Sequence, residues 1–183
     1  MQPHIPQQSA HDQGAHGADN DAGLSAELAA VVAGARRRAL RDGDRQIDTA
    51  HLLHSLLEYD PEVRAVFDGG PQLARLLGYL VQRSIGYGLR WQSTVEDSGA
   101  IPVVPEAEGY SPLAAGAMSY AGERAARRGD DLACGVDLLA AIVVDPQARA
   151  VEVLDRAGVD AGELFTRIEQ RSEEYVGGGE TGC

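Results

Sequence analysis

Between residues 24 and 173 the apolar positions fall into two similar series, whose first helical faces match when one is shifted by 86 residues. In the first, Leu28, Val31, Val32, Ala35 and Ala39 recur at the three- and four-residue spacing that places them on one helical face. Ser25 stands where that helix needs an N-cap. In the second, Ala114, Ala117, Met118, Ala121 and Ala125 repeat the face, with Ser111 at the cap and Pro112 in the first turn, where its missing N–H costs nothing. Each predicted helix runs into a polar break, Arg41-Asp42-Gly43-Asp44 and Arg127-Arg128-Gly129-Asp130, whose glycine suits a helix C-terminus.

A short apolar helix follows in both halves, marked by Leu52, Leu53, Leu56 and Leu57 and then by Leu138, Leu139, Ile142 and Val143. Next, Asp60-Pro61-Glu62-Val63-Arg64-Ala65-Val66 aligns with Asp145-Pro146-Gln147-Ala148-Arg149-Ala150-Val151, identical at five of seven positions. Asp as N-cap and Pro at the first helical position predict a third helix in each half. A fourth carries Leu73, Leu76, Leu77 and Leu80 in one half and Leu164, Phe165 and Ile168 in the other. A unit of about 60 residues buries little surface alone, so the two should pack together. The expected fold is all-α: eight helices in two pseudo-symmetric four-helix repeats, spanning residues 23–84 and 110–173.

The flanking segments lack this periodicity. Residues 1–22 have almost no apolar anchor and read as disordered, and residues 174–183 as a flexible Gly-rich tail. In the 85–109 linker, Leu89, Trp91, Ser93 and Val95 alternate before the turn sequence Asp97-Ser98-Gly99, so a small hairpin is expected, with Trp91 covering the helical core.

Composition narrows the function. The net charge of −12 argues against a nucleic-acid partner, because a phosphate backbone is bound by clustered cations. All 16 basic residues are arginine. Without lysine, a Walker A phosphate loop and Schiff-base chemistry are both excluded. No Gly-x-Ser-x-Gly, His-Glu-x-x-His or dinucleotide fingerprint occurs, so an enzyme reading has no residues to stand on and no cofactor is expected. Cys134 and Cys183 form no C-x-x-C pair; Cys134 reads as a small core residue and Cys183 as exposed. No apolar run reaches about 18 residues, so a cytoplasmic location without a membrane partner is expected.

The order of these features resembles the Clp N-terminal (Clp R) repeat domain of ClpC- and ClpA-type unfoldases. Family repeats open on Phe-Thr-Pro-x-Ala and later carry Gly-Thr-Glu-His-Leu-Leu. Here these read Leu24-Ser25-Ala26-Glu27-Leu28 with Asp48-Thr49-Ala50-His51-Leu52-Leu53, and Tyr110-Ser111-Pro112-Leu113-Ala114 with Gly135-Val136-Asp137-Leu138-Leu139. The resemblance covers residues 24–173 and implies a double Clp N-domain, a non-catalytic module that docks ligands for an ATPase ring. No ring is expected here. The implied partners are a Clp unfoldase, adaptor or substrate peptides, or Clp-targeting small molecules, with an adaptor, decoy or modulator role. The alternative is a structural or signalling scaffold that has lost Clp-type ligands.

The resemblance also implies ligand-contacting residues. Ser25 and Ser111 keep the hydroxyl with which phosphoarginine-reading members hold phosphate, and Tyr110 matches an aromatic that opens the second repeat. The family Glu that pairs with the guanidinium is replaced by Ala50 and Val136, so weak or absent phosphoarginine binding is expected. His51 and His54, with Asp48 and Glu58, have spacings that can share a helix side, but a metal needs three or four converging ligands; structural roles are expected and no metal. Arg36, Arg37, Arg38 and Arg41 read as a solvated helix face with local ion pairs, or alternatively as a surface for an acidic partner.

Overall fold

The computed structural model describes residues 22–84, Glu96 and 109–177, with side chains as far as Glu173. The predicted N-terminal tail to residue 21, the linker hairpin with Trp91, and the last six residues lie outside the described residues. Within them the chain is all-helical, in the order α1 (Ala26–Asp42), α2 (Thr49–Tyr59), α3 (Pro61–Ala65), α4 (Gly70–Ser84), α5 (Pro112–Arg128), α6 (Gly135–Val143), α7 (Arg149–Arg156) and α8 (Ala161–Gly177).

Helices α1 and α5 begin and end as their sequences predict. The Ser25 hydroxyl accepts from the Leu28 N–H and the Ser111 hydroxyl from the Ala114 N–H, each at 3.1 Å. At the other end Gly43 and Gly129 adopt φ of 75° and 85°, the left-handed geometry glycine takes without strain, and their N–H groups close the last turn.

Helices α2 and α6 form the centre. Every residue of α2 from Thr49 to Leu57 is buried, and so is nearly all of α6. Helix α2 packs against α1, α3, α4, α5, α6 and α7, while α6 packs against α1, α2, α3, α5, α7 and α8. Neither helix keeps a solvent face, which is why both read as apolar runs rather than amphipathic stripes.

The repeats interlock through two parallel bridges. Ser25 N–H donates to Ala133 O, and Ala133 N–H to Gly23 O, both at 2.8 Å. Shifted by 86 residues, Ser111 N–H donates to Ile47 O at 2.8 Å and Ile47 N–H to Gly109 O at 2.6 Å. Each repeat's opening segment is thereby tied to the other repeat, just ahead of that partner's central helix.

The halves differ at their Asp-Pro elements. Asp60 caps α3 as expected, accepting from Glu62 and Val63 N–H at 2.9 and 3.1 Å. Asp145-Pro146 forms a turn instead, and α7 starts only at Arg149, behind Ala148, which offers no side-chain acceptor. The expected Asp145 cap is corrected on this point. The physical reason is that α7 is capped from outside: Arg149 N–H donates to Glu96 at 2.7 Å and Ala150 N–H to the Thr49 hydroxyl at 3.1 Å. Cys134 is buried, as expected, but is disulfide-bonded rather than a free core thiol.

At the first seam the Asp60 carboxylate lies against Gly135, where a Cβ would overlap Oδ2 and crowd Leu56. Gly135→Ala should therefore displace the α3 cap and lower stability by about 1–3 kcal/mol in urea denaturation. The loss should be less than additive with Asp60→Ala. A Gly135→Ala midpoint equal to the parent's would mean that this seam is not tightly packed.

Candidate functional site

The second seam gathers the start of three helices around one carboxylate. Thr49 is the first residue of α2, Ser111 caps α5, and Arg149 opens α7. Glu96, 4% exposed, reaches into this junction. Its Oε2 accepts from Thr49 N–H at 2.9 Å and from the Ser111 hydroxyl at 2.7 Å. Its Oε1 accepts from Arg149 N–H at 2.7 Å and from the Thr49 hydroxyl. Helix N-termini carry unsatisfied N–H groups and the positive end of the helix dipole, so a buried anion is well placed here.

Beside it lies a network of ions. Asp48 caps α2, accepting from His51 N–H at 2.9 Å, while His51 Nδ1 accepts from Asp48 N–H at 3.1 Å. Arg83 from α4 and Arg149 from α7 both bond Asp48 Oδ2, the latter at 2.8 Å. Burial alone would raise the Asp48 carboxyl, but the adjoining His51, Arg83 and Arg149 more than offset it and hold the group well below the usual carboxylate range.

Asp44, Asp48 and His51 bring ligand atoms within 4.8 Å of one another. His51 Nδ1 lies 2.9 Å from Asp48 Oδ1, and its Nε2 lies 3.2 Å from Asp44 and 3.7 Å from Asp42. Arg83 also lies 3.5 Å from Asp44. A cation would have to displace a guanidinium already compensating these carboxylates, so the cluster is built as an ion network. His54 does not join it. Its shift comes from burial first, then from Arg38, which lies in contact with Glu58.

The three residues implied as ligand contacts are not brought together at one point. Ser111 is buried and bonded to Glu96. Tyr110 is partly buried against the core beside the Ile47 bridge of the same seam. Ser25 lies at the other seam, partly exposed, and caps α1. In the basic cluster Arg38 pairs with Glu58, Arg37 donates to the Tyr59 hydroxyl at 3.3 Å, and Arg41 lies 3.5 Å from Asp42. A separate groove of about 480 Å³ lies between α5 and α8, with Tyr120, Arg124, Arg127, Arg128, Phe165 and Glu169 among its walls. Its guanidinium groups are engaged: Arg127 stacks on Tyr120, Arg124 meets Glu169 and Phe165, and Arg128 is held by Asp137.

This doubled helical arrangement has a solved counterpart in the N-terminal domain of the caseinolytic-protease-associated chaperone ClpD from Arabidopsis thaliana. The two superpose with a TM-score of 0.57 at 16% identity, over 82% of this chain and 95% of that domain. The fold is that of a Clp N-terminal domain. No protein-family model matches the chain, and no curated protein matches it in sequence. The Clp N-domain likeness therefore rests on architecture, and it accounts for the paired repeats at 16% identity because both are set by helix packing rather than by particular side chains.

Sequence reading did not find Glu96, Arg83 or Arg149 as partners of the second seam. Arg149 was visible within the repeated Asp-Pro element, but its use at Asp48 was not, since the two are 101 residues apart. Glu96 lies in a stretch without periodicity, and no local signal marks it.

Two outcomes follow from these charges. Asp48→Asn removes the carboxylate that Arg83 and Arg149 share, and should cost about 3 kcal/mol or more in denaturant unfolding; a loss below about 1 kcal/mol would exclude a central role for the network. Burial pushes His54 down to about 4. An unfolded imidazole titrates near 6.5, so between about pH 6.5 and 4 only the unfolded chain gains that proton. Stability should be full above this window and fall by about 2 kcal/mol across it, allowing for partial solvent screening. His54→Gln should flatten that slope, and an unchanged slope would assign it to other groups.

Proposed function

We propose that this protein is a recognition module of the Clp N-domain type, without catalytic activity of its own, that binds peptide, protein or small-molecule ligands connected with a Clp unfoldase-protease. The observation that carries the reading is the fold: two interlocked four-helix repeats superposing on most of the ClpD N-terminal domain. Catalysis needs a nucleophile or acid–base pair converging on a space that holds substrate. Asp48, Glu96 and Arg149 are instead bonded to helix starts and to one another. Such an arrangement presents a rigid surface.

In this reading the module serves as adaptor, decoy or modulator of a separate unfoldase, in the cytoplasm, and its ligand contacts lie at the two seams. Tyr110 and Ser25 are the partly exposed contacts and Ser111 lies behind Glu96. The replacement of the family carboxylate by Ala50 and Val136 favours a ligand other than phosphoarginine. It also supports a second reading, a structural or signalling scaffold that has lost Clp-type ligands.

The two readings separate in a binding experiment. Purified protein, titrated with a ClpC-type unfoldase ring and with adaptor and substrate peptides, should show saturable binding that Tyr110→Ala and Ser25→Ala weaken about tenfold, equivalent to about 1.4 kcal/mol. Absence of saturable binding to ring and peptides would leave the scaffold reading.

A further inference from the structure

None of the residues lining the groove between α5 and α8 takes part in the backbone bridges of the two seams. Its volume of about 480 Å³ is that of a cleft for a small organic molecule. Both walls are aromatic, with Tyr120 on α5 and Phe165 on α8. Arg124, Arg127 and Arg128 add three guanidinium groups on adjacent turns of one helix, in a chain whose net charge is −12. The Tyr120 wall is no product of the repeat. The residue 86 positions earlier is Gly34, where a Cβ would overlap the ring of Tyr59.

The three guanidinium groups are not equally committed. Arg128 bonds both oxygens of Asp137 and donates from Nε to Asp130 at 2.9 Å. Arg124, 8% exposed, lies 2.6 Å from Glu169 and 3.5 Å from Asp137, yet its Nε donates to no acceptor and Glu169 Oε1 accepts from no donor among the described residues. Charge rather than directed bonds holds it, so its donors can turn to an acceptor placed in the groove. Arg127 is exposed and stacks on Tyr120, its guanidinium carbon 5.2 Å from the ring centre. Stacking orders the guanidinium plane and leaves its N–H edge open. Among the described residues no carboxylate pairs with that edge, neither Glu123 one turn back nor Glu173 across the groove.

We propose that this groove binds a planar aromatic carboxylate, its ring lying against Tyr120 and Phe165 and its carboxylate taking the N–H edge of Arg127. A carboxylate meets such an edge with two parallel bonds. A flat ring suits a cleft with two aromatic walls, where stacking is favourable without a polar partner. A cationic ligand would instead meet Arg124 and Arg127 while Glu169 is already beside Arg124. The same chemistry is offered by a free aromatic acid and by a peptide that ends in an aromatic residue. The site goes beyond the Clp-type reading of the protein and does not rest on it.

The test titrates the full chain with naphthoate by isothermal calorimetry, with naphthylmethanol and naphthylmethylamine as neutral and cationic counterparts. Naphthoate should bind saturably, with a dissociation constant on the order of 1 mM or below, and about tenfold more tightly than either counterpart. Arg127 is exposed, so Arg127→Ala should melt with the parent, yet weaken naphthoate about tenfold. Glu173→Gln removes a like charge from the groove and should tighten naphthoate about twofold. A peptide ending in tryptophan with a free carboxylate, if bound more tightly than naphthoate, identifies a peptide terminus as the ligand; if bound less tightly, it identifies a free acid. Three results would each overturn the proposal: no saturable naphthoate binding up to about 10 mM, naphthylmethylamine bound as tightly as naphthoate, or equal affinity in Arg127→Ala and the parent. Naphthoate binding without binding of Clp rings or peptides would remove the recognition reading and keep this site. The two failures are thus distinct.

Discussion

Each repeat begins by lending its backbone to the other. The Gly23–Ser25 segment pairs with Ala133, and Gly109–Ser111 pairs with Ile47, so the start of α1 is held against the start of α6 and that of α5 against α2. Two amide groups at each point would otherwise be buried without partners, a penalty of about 1–3 kcal/mol apiece. The central helices depend on the same exchange. Helix α2 touches α5, α6 and α7 across the divide, and α6 touches α1, α2 and α3. A single repeat would leave one side of its most apolar helix in water, which makes the pair the folding unit.

Burying so many helix starts creates a second requirement. The first N–H groups of a helix have no partner within it, and water is excluded from the seams. Carboxylates supply the missing acceptors. Asp48 caps α2, Asp60 caps α3, Asp137 accepts from Cys134 N–H ahead of α6, and Glu96 serves α2 and α7 together. Arginines then balance the buried charge: Arg83 and Arg149 at Asp48, and Arg128 at Asp137, whose bond to it pushes the guanidinium up. Guanidinium suits this role because its planar donors can serve a carboxylate and a neighbouring acceptor together.

The same construction bears on function. At the seams Asp48, Asp60, Asp137 and Glu96 are committed to helix starts, and backbone pairing joins the repeats. The seams are also where the repeats cease to be equivalent, with Asp60 facing Gly135 on one side and Glu96 facing Thr49 on the other. Near-symmetry shapes the scaffold, and its local failure gives the second seam a character of its own.

The helices, their caps and the doubling were legible in the chain because they depend on short-range rules. Ser25 and Ser111 bond three residues ahead, Gly43 and Gly129 relax a left-handed turn, and Leu52 to Leu57 can only be an interior helix. Those rules gave the all-helical class and the pairing of repeats. They misplaced the start of α7, because Asp145 carried the local signal for a cap that Glu96 and Thr49 supply from a distance. What only the tertiary structure decided is the set of partners at the second seam: Glu96 with Ser111, and Asp48 with Arg83 and Arg149, residues from 15 to 101 positions apart. Hydrophobic periodicity records which face of a helix avoids water. It carries no record of which distant charge will meet a buried N–H group, since that is settled only when the elements pack and the dielectric around them falls.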